Sequence, residues 1–123
     1  MKNIDMATKA VNYIEENLKK DISLNEIADY VGYSLYHFSR MFKEIVGHSP
    51  SEYLQRRRLT EAAFEIERKK DNIINIAYDY QFNSPEVFSR AFKKMFGIQP
   101  KNFSSFDKNI SLQYRTKLSY KEL

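Results

Sequence analysis

A thirteen-residue sequence motif occurs twice in this chain. FSRMFKEIVGHSP at residues 38–50 returns as FSRAFKKMFGIQP at residues 88–100, with seven of the 13 positions identical and an offset of 50. Each copy follows an Ile-Ala pair, at residues 27–28 and 76–77, and this earlier offset is 49. The second copy therefore has one extra residue in its turn. Because two copies are too few for a solenoid, the repeat predicts two similar small units, each with one basic helix.

The composition fits a small intracellular domain. With 123 residues, 42% hydrophobic residues, nine Phe and nine Tyr, the chain is one domain, or two very small ones, that can bury a core. It contains no apolar run long enough to span a bilayer, and its charged first 20 residues do not resemble a signal peptide. The absence of cysteine excludes disulfides and Cys-ligated zinc or iron–sulfur sites. These features predict a cytoplasmic protein.

The charge is unevenly distributed along the chain. The overall net charge is +4, but residues 1–30 carry −2 and the remainder carries +6. An acidic start followed by a basic body indicates that one surface faces a polyanion. On charge alone, an ordinary basic protein is an equally good interpretation.

The hydrophobic pattern is helical almost throughout and predicts an all-α fold of about seven helices. Capping residues set the expected boundaries, because serine, asparagine and aspartate favour helix starts and glycine favours helix ends. Residues 23–26 (SLNE) and 49–52 (SPSE) are capping boxes. The predicted helices begin after Asp5, at Ser23 (to Gly32), Ser34 (to Gly47), Pro50 (to about Arg68), Ile73 (to Tyr80), Ser84 (to Gly97) and Pro100 (to Phe106). Residues 110–120 alternate loosely and are either a strand or a disordered tail.

The repeated helices have two different faces. Phe38, Met41, Phe42 and Ile45 form an apolar stripe in the first, as do Phe88, Ala91, Phe92 and Met95 in the second. The opposite stripes are polar and basic: Tyr36, Ser39, Arg40 and Lys43, and then Glu86, Ser89, Arg90 and Lys93. A short helix, a tight turn and such a helix form the helix-turn-helix arrangement, whose second helix enters the DNA major groove.

An exposed basic stripe is often only a solvated helix face. Duplication for the sake of the fold explains why the phenylalanines recur, but it explains the recurrence of the outward arginine less well. Arg40 and Arg90 suit guanine, since a guanidinium forms two hydrogen bonds with O6 and N7. Lys43 and Lys93 suit phosphate. The repeat therefore favours DNA binding over a solvated face.

These segments resemble a known family. Residues 32–43 (GYSLYHFSRMFK) with 47–54 (GHSPSEYL), and residues 81–97 (QFNSPEVFSRAFKKMFG), are similar to the two helix-turn-helix motifs of the AraC/XylS transcription regulators. The similarity covers about residues 5–106 and is strongest to the subgroup with MarA, SoxS and Rob. It implies two helix-turn-helix subdomains joined by a long central helix, with both recognition helices in successive major grooves.

The resemblance also implies site residues. Carried over by position, the base-facing candidates are Tyr36, Ser39 and Arg40 in the first unit and Pro85, Glu86, Ser89 and Arg90 in the second. His37 and Lys43 are candidate phosphate contacts. Relatives often have glutamines at the positions of Pro85 and Glu86, so we expect the second helix to bind mostly the DNA backbone. For residues 56–58 (RRR), salt bridges to Glu52 or Glu61 compete with a role in DNA binding.

Other functions have less support in the sequence. The chain has no glycine-rich phosphate loop and no HExxH motif, and His37 and His48 are its only histidines. We therefore expect no catalytic residues, no metal and no cofactor. The competing hypothesis is a helix-turn-helix scaffold that acts mainly as a protein-interaction module, for instance on RNA polymerase. RNA polymerase is also an expected partner if the chain is a DNA-bound regulator.

The expected arrangement on DNA follows from two unlike recognition helices in one chain. We expect the chain to bind as a monomer to an asymmetric site. Residues 1–106 form the expected DNA-binding domain. Residues 107–123 are the expected tail. Some members of the family have an effector-binding domain after the DNA-binding domain, and one hypothesis is that this tail is the truncated start of such a domain; the alternative is a single-domain regulator with a frayed end.

Overall fold

The structure, a computed structural model, describes residues 2–103, 113–116 and 118. These residues contain six α-helices and a final 3-10 turn, and no strand. In chain order the helices are α1 (Lys2–Glu16), α2 (Leu24–Val31), α3 (Leu35–Val46), α4 (Pro50–Glu67), α5 (Ile73–Asp79) and α6 (Pro85–Phe96), followed by the turn at Pro100–Asn102. The predicted all-α fold is confirmed.

The described residues divide into two compact units. The first contains those up to Gln55 together with those after Tyr114, and the second contains those of Arg56–Tyr114. In the first unit α1 packs against α2 and α3, and in the second α5 packs against α6. The pairs α2–α3 and α5–α6 are the two helix-turn-helix motifs, and the long helix α4 begins in the first unit and ends in the second.

The helices begin where the sequence predicts because side chains satisfy their first free N–H groups. The Oγ atoms of Ser23, Ser34 and Ser84 each accept a hydrogen bond from the backbone N–H three residues later, at 3.1, 3.2 and 3.1 Å. Ser49 caps α4 in the same way at 3.2 Å. Asn72, directly before the predicted start at Ile73, caps α5 with its Oδ1 atom at 2.8 Å.

Two predicted boundaries were wrong. α1 begins at Lys2 rather than after Asp5, which lies in the first turn of the helix. An aspartate suits both the N-cap and the first turn of a helix, where its carboxylate interacts favourably with the helix dipole. Asp5 alone therefore does not fix the residue at which α1 begins. The last helix is a 3-10 turn that ends at Asn102 instead of reaching Phe106, which lies outside the described residues.

Aromatic rings form much of the core of each unit. In the first, Phe38, Phe42 and Tyr53 are fully buried, and the Phe42 ring lies 5.6 Å from Phe38 and 5.7 Å from Tyr53 between centroids. They pack with an apolar set from α1 and α2: Met6, Ala7, Ala10, Val11, Ile14, Ile27 and Ala28. The predicted buried stripe of α3 is thereby confirmed at its two phenylalanines.

The second unit repeats this core with more aromatic rings. The Phe92 ring is surrounded by Phe88 at 5.6 Å, Phe96 at 4.6 Å and Phe103 at 5.6 Å between centroids. Phe88 and Phe92 are fully buried, and Phe96 nearly so. The predicted buried stripe of α6 is therefore confirmed at its two phenylalanines, and the 3-10 turn brings Phe103 onto it.

A buried polar pair also belongs to the second unit. The Tyr80 hydroxyl donates a short hydrogen bond to the Glu65 carboxylate, and both residues are buried. Burial, followed by the hydrogen bond and the charge of Glu65, raises the pKa of Tyr80 well above its ordinary value. The phenol therefore stays protonated, and it links α5 to α4.

The turns of the two motifs differ by one residue. Gly32 and Gln81, at an offset of 49, both have left-handed backbones with φ of 80° and 70°. The capping serines Ser34 and Ser84 are at an offset of 50. The extra residue predicted from the repeat therefore lies between Gln81 and Ser84.

The left-handed Gln81 gives a testable prediction. Gln81→Gly should raise the free energy of unfolding by about 0.5–1 kcal/mol, because a side chain in this conformation costs roughly 1–2 kcal/mol and the greater freedom of unfolded glycine offsets part of that gain. Urea denaturation measures the change. The matched control is Gly32→Gln, which should lower the free energy of unfolding. An added Cβ at Gly32 meets no atom within 4 Å, so the loss comes from the left-handed backbone conformation and not from a steric clash. Lower stability of Gln81→Gly would contradict the prediction.

The described part of the tail has no regular secondary structure and contacts α4. The backbone N–H of Gln113 donates to Thr60 Oγ1 at 3.0 Å, and Arg57 donates to the Gln113 carbonyl. The N–H of Thr116 donates to the Tyr53 hydroxyl at 3.1 Å. Side chains of α4 thus satisfy backbone groups that a lone strand would leave unpaired. Of the expected strand at residues 110–120, the structure describes residues 113–116 and 118; the others lie outside the described residues.

Candidate nucleic-acid interface

The outward side of α3 carries the five residues predicted for the first unit. Because Phe38 and Phe42 face the core, the opposite side of the helix faces solvent. We call this surface the first recognition face, and it comprises Tyr36, His37, Ser39, Arg40 and Lys43. Four of the five are exposed, with Tyr36 at 69%, and Ser39 is half-buried.

Arg40 lies at the centre of this face and has a neighbour one turn away on each side. Its Nη1 atom donates to the Tyr36 hydroxyl at 3.4 Å. Its Nε atom is 3.6 Å from a carboxylate oxygen of Glu44. The His37 ring packs edge-on against Tyr36 at 5.7 Å. The guanidinium is therefore held on the helix surface while it remains accessible.

The first recognition face borders a shallow, open depression. Its lining residues are Leu35, Tyr36, Ser39, Arg40, Lys43 and Ser49. Sequence reasoning predicted four of these six and missed Leu35 and Ser49. The repeat contained the missing signal for Leu35, since the offset of 50 aligns it with Pro85, which was predicted.

The outward side of α6 is the second recognition face, and it comprises Pro85, Glu86, Ser89, Arg90 and Lys93. Three of these, Glu86, Arg90 and Lys93, are exposed, while Pro85 and Ser89 are half-buried. They occupy the same helical positions as their counterparts in α3, because the Phe positions of both helices are buried alike. The structure thus brings the predicted residues of each unit together on one face.

The arginines of the two faces have different neighbours. At an offset of 50, Glu86 replaces Tyr36 and Lys94 replaces Glu44. Arg90 is therefore flanked by a carboxylate one turn before it and an amine one turn after it, whereas Arg40 has a neutral phenol before it and a carboxylate after it. The half-exposed Val87, at 37%, occupies the position of His37.

The arginines at the start of α4 have structural partners. Arg57 is buried, and its Nη2 atom lies 3.0 Å from Glu61, so the salt-bridge interpretation holds for this residue. The Nε atom of Arg56 donates to the Gln113 side chain at 3.2 Å. Glu52, the other predicted partner, contacts His48, whose Nδ1 is 2.5 Å from its carboxylate.

Within the described ranges, no group of three or more His, Cys, Asp or Glu side chains is placed to hold a metal ion. In the same part of the chain, no helix is both long and apolar enough to cross a membrane.

The arrangement matches known proteins. A family model described as a helix-turn-helix domain matches residues 12–105. A solved transcriptional regulator from Chromobacterium violaceum, described as an AraC-type DNA-binding domain-containing protein, is similar with a TM-score of 0.74 and 32% identity, over 79% of this chain and 87% of that one. The chain belongs to the AraC/XylS family.

Curated relatives of this AraC/XylS chain include named regulators. The multiple antibiotic resistance protein MarA of Escherichia coli K12 is 37% identical over 68 residues, which is 54% of each chain. The HTH-type transcriptional activator AarP of Providencia stuartii is 46% identical over 55 residues, 45% of this chain and 41% of AarP. The chain thus matches about half the length of these curated relatives.

Proposed function

We propose that this AraC/XylS chain is a sequence-specific regulator of transcription that binds double-stranded DNA in the cytoplasm. In this proposal α3 and α6 enter successive major grooves. The observation that carries it is that each unit presents an outward helix face with the same Ser-Arg-Lys spacing, held in place by buried phenylalanines. Such a helix, preceded by a short helix and a tight turn, is the element that helix-turn-helix proteins place against base edges.

The first recognition face has the side chains for direct recognition of bases. Arg40 can donate two hydrogen bonds to O6 and N7 of guanine, and Ser39 can serve several base edges. The ring of Tyr36 offers an apolar surface to a thymine methyl group. Lys43 and His37, at the rim of the face, are the proposed phosphate contacts.

The second recognition face is proposed to bind mainly through the DNA backbone. Pro85 has no side-chain hydrogen-bonding group, and Glu86 repels phosphate unless it accepts a hydrogen bond from N4 of cytosine. Ser89 and Lys93 suit phosphate contacts, with Arg90 supplying a second cation. We infer that one chain binds one asymmetric site, since the two faces differ. Residues 1–106 are the proposed DNA-binding domain, and residues 107–123 are the tail that follows it.

An alternative function is favoured by one observation. Ile74 and Tyr78 lie one turn apart on α5 and are 55% and 51% exposed. The corresponding residues of α2, Asn25 and Asp29, are polar. This apolar pair on α5 would suit a protein partner such as RNA polymerase. Salt distinguishes the two functions: counterion release makes DNA affinity fall steeply with ionic strength, whereas an apolar protein interface changes little.

Arg40 supplies the central test of DNA recognition. Selection of bound fragments from random duplex DNA should return one asymmetric sequence. Arg40→Ala should then weaken binding to that sequence by roughly 1–3 kcal/mol and relax the preference at one base pair. Titrations by fluorescence anisotropy against the selected duplex and its single-base variants measure both effects.

Arg90→Ala is the matched comparison for this test. It should weaken binding with less dependence on sequence than Arg40→Ala, because the second recognition face is proposed to bind backbone. Equal weakening by Arg40→Ala on every duplex would make Arg40 a phosphate contact. A palindromic selected sequence, or two chains on a minimal site, would contradict the proposed monomeric binding.

A further inference from the structure

Arg40 is flanked on α3 by two residues that can orient its side chain. Tyr36 lies one turn before it and Glu44 one turn after it, with the guanidinium 3.4 Å from the phenol oxygen and 3.6 Å from the carboxylate. Both side chains of the ion pair are 65% exposed, so the pair contributes little to folding. A functional effect of Glu44 would therefore act through Arg40 and not through the stability of the fold.

A free arginine on a DNA-facing helix has two kinds of partner. Phosphates are numerous and carry full charges, whereas a base edge offers one fixed geometry. An arginine that is not restrained is drawn to phosphate and contributes affinity without sequence preference. Restraint on the helix surface lowers the entropy cost of the bidentate base contact, and a nearby carboxylate also repels the phosphates that would compete for the guanidinium.

The second unit lacks this arrangement. At the position of Glu44 it has Lys94, and at the position of Tyr36 it has Glu86. An ammonium group cannot pair with Arg90, and it attracts phosphate. The second unit therefore has its carboxylate, Glu86, one turn before the arginine and a cation one turn after it, so the surroundings of Arg90 differ from those of Arg40.

We propose that Glu44 is a positioning residue that directs Arg40 to a base edge and thereby increases sequence discrimination at the cost of general affinity. This inference rests on the proposed function and extends it. Glu44 itself contacts no DNA; it acts through the guanidinium of Arg40. The consequence is an unusual pair of effects, in which loss of the carboxylate weakens discrimination and strengthens binding to random DNA.

Glu44→Gln tests this with little change of shape. Discrimination between the selected duplex and the variant altered at the base pair assigned to Arg40 should fall about two- to five-fold, the range set by exposed ion pairs. Affinity for a random duplex should rise at low salt, because a negative charge is lost from the DNA face. An unchanged melting temperature would separate this effect from damage to the fold.

Two control variants isolate the route through Arg40. In an Arg40→Ala background, Glu44→Gln should still raise affinity for random DNA but should no longer change discrimination. Lys94→Gln, the corresponding change in α6, should lower affinity for random DNA and leave discrimination at that base pair intact. A Glu44→Gln protein with wild-type discrimination, or the same loss of discrimination in both backgrounds, would overturn the inference.

The wild-type titration separates failure of the inference from failure of the proposed function. A wild-type chain that binds all duplexes equally would overturn the proposed sequence-specific function, and the positioning role with it. A wild-type chain that prefers its selected site, combined with an inert Glu44→Gln change, would overturn the positioning role alone.

Discussion

Replacing Phe42 or Phe92 with alanine is expected to lower the free energy of unfolding by about 3–5 kcal/mol. Each side chain is fully buried in the centre of its own unit, against Tyr53 in the first and against Phe96 and Phe103 in the second. The loss combines the transfer energy of the ring with the cavity left behind. For a small domain this is a large part of the total stability, so the melting temperature should fall steeply.

The control for this experiment is an exposed apolar residue. Ile74 is 55% exposed, and Ile74→Ala should change the free energy of unfolding by no more than about 0.5 kcal/mol. Urea denaturation of all three variants gives the comparison. Wild-type stability of both phenylalanine variants would mean that the buried and outward faces of α3 and α6 had been exchanged.

Removing residues 113–118 is expected to lower the free energy of unfolding by about 1–3 kcal/mol, the cost of leaving a buried polar group without its partner. Gln113 takes part in three hydrogen bonds with α4, through Arg56, Arg57 and Thr60. Thr116 adds a fourth, to Tyr53. Without the segment, buried polar groups of α4 lose these partners.

Two shortened chains measure this effect directly. One ends at Leu112 and the other at Leu118, so they differ only by the segment that contacts α4. The longer one should match the full chain in urea denaturation, and the shorter one should unfold at lower urea. Thr60→Val in the longer chain should reproduce part of the loss, about 1 kcal/mol. Equal stability of the two chains would show that the contacts contribute nothing net.

Much of the fold could be predicted from local signals. Ser23, Ser34 and Ser84 mark helix starts, because the geometry of an N-cap involves only residues three apart. The buried stripes followed from the spacing of Phe38 and Phe42 and of Phe88 and Phe92. The start of α1 was not predictable, since Asp5 suits both a cap and a first turn.

The parts that could not be predicted depend on contacts distant in sequence. Thr60 and Gln113 are 53 residues apart, and no local pattern pairs them. The buried hydrogen bond from Tyr80 to Glu65 is of the same kind. In the candidate site, four outward positions of each helix followed from periodicity, and His37 and Pro85 followed from the family resemblance. The two contacts of Arg40 depend on side-chain rotamers, which no sequence pattern gives.

The separation of buried and outward positions has a consequence for how such a protein can change over time. Phe38 and Phe42 hold α3 in place, and Phe88 and Phe92 do the same for α6. Substitutions on the exposed sides usually alter stability by less than about 0.5 kcal/mol. A single substitution on either outward face can therefore change what that face binds without loss of folding, so one scaffold can carry two faces of different chemistry. Residues 36 and 86, tyrosine and glutamate on matching turns, differ in this way.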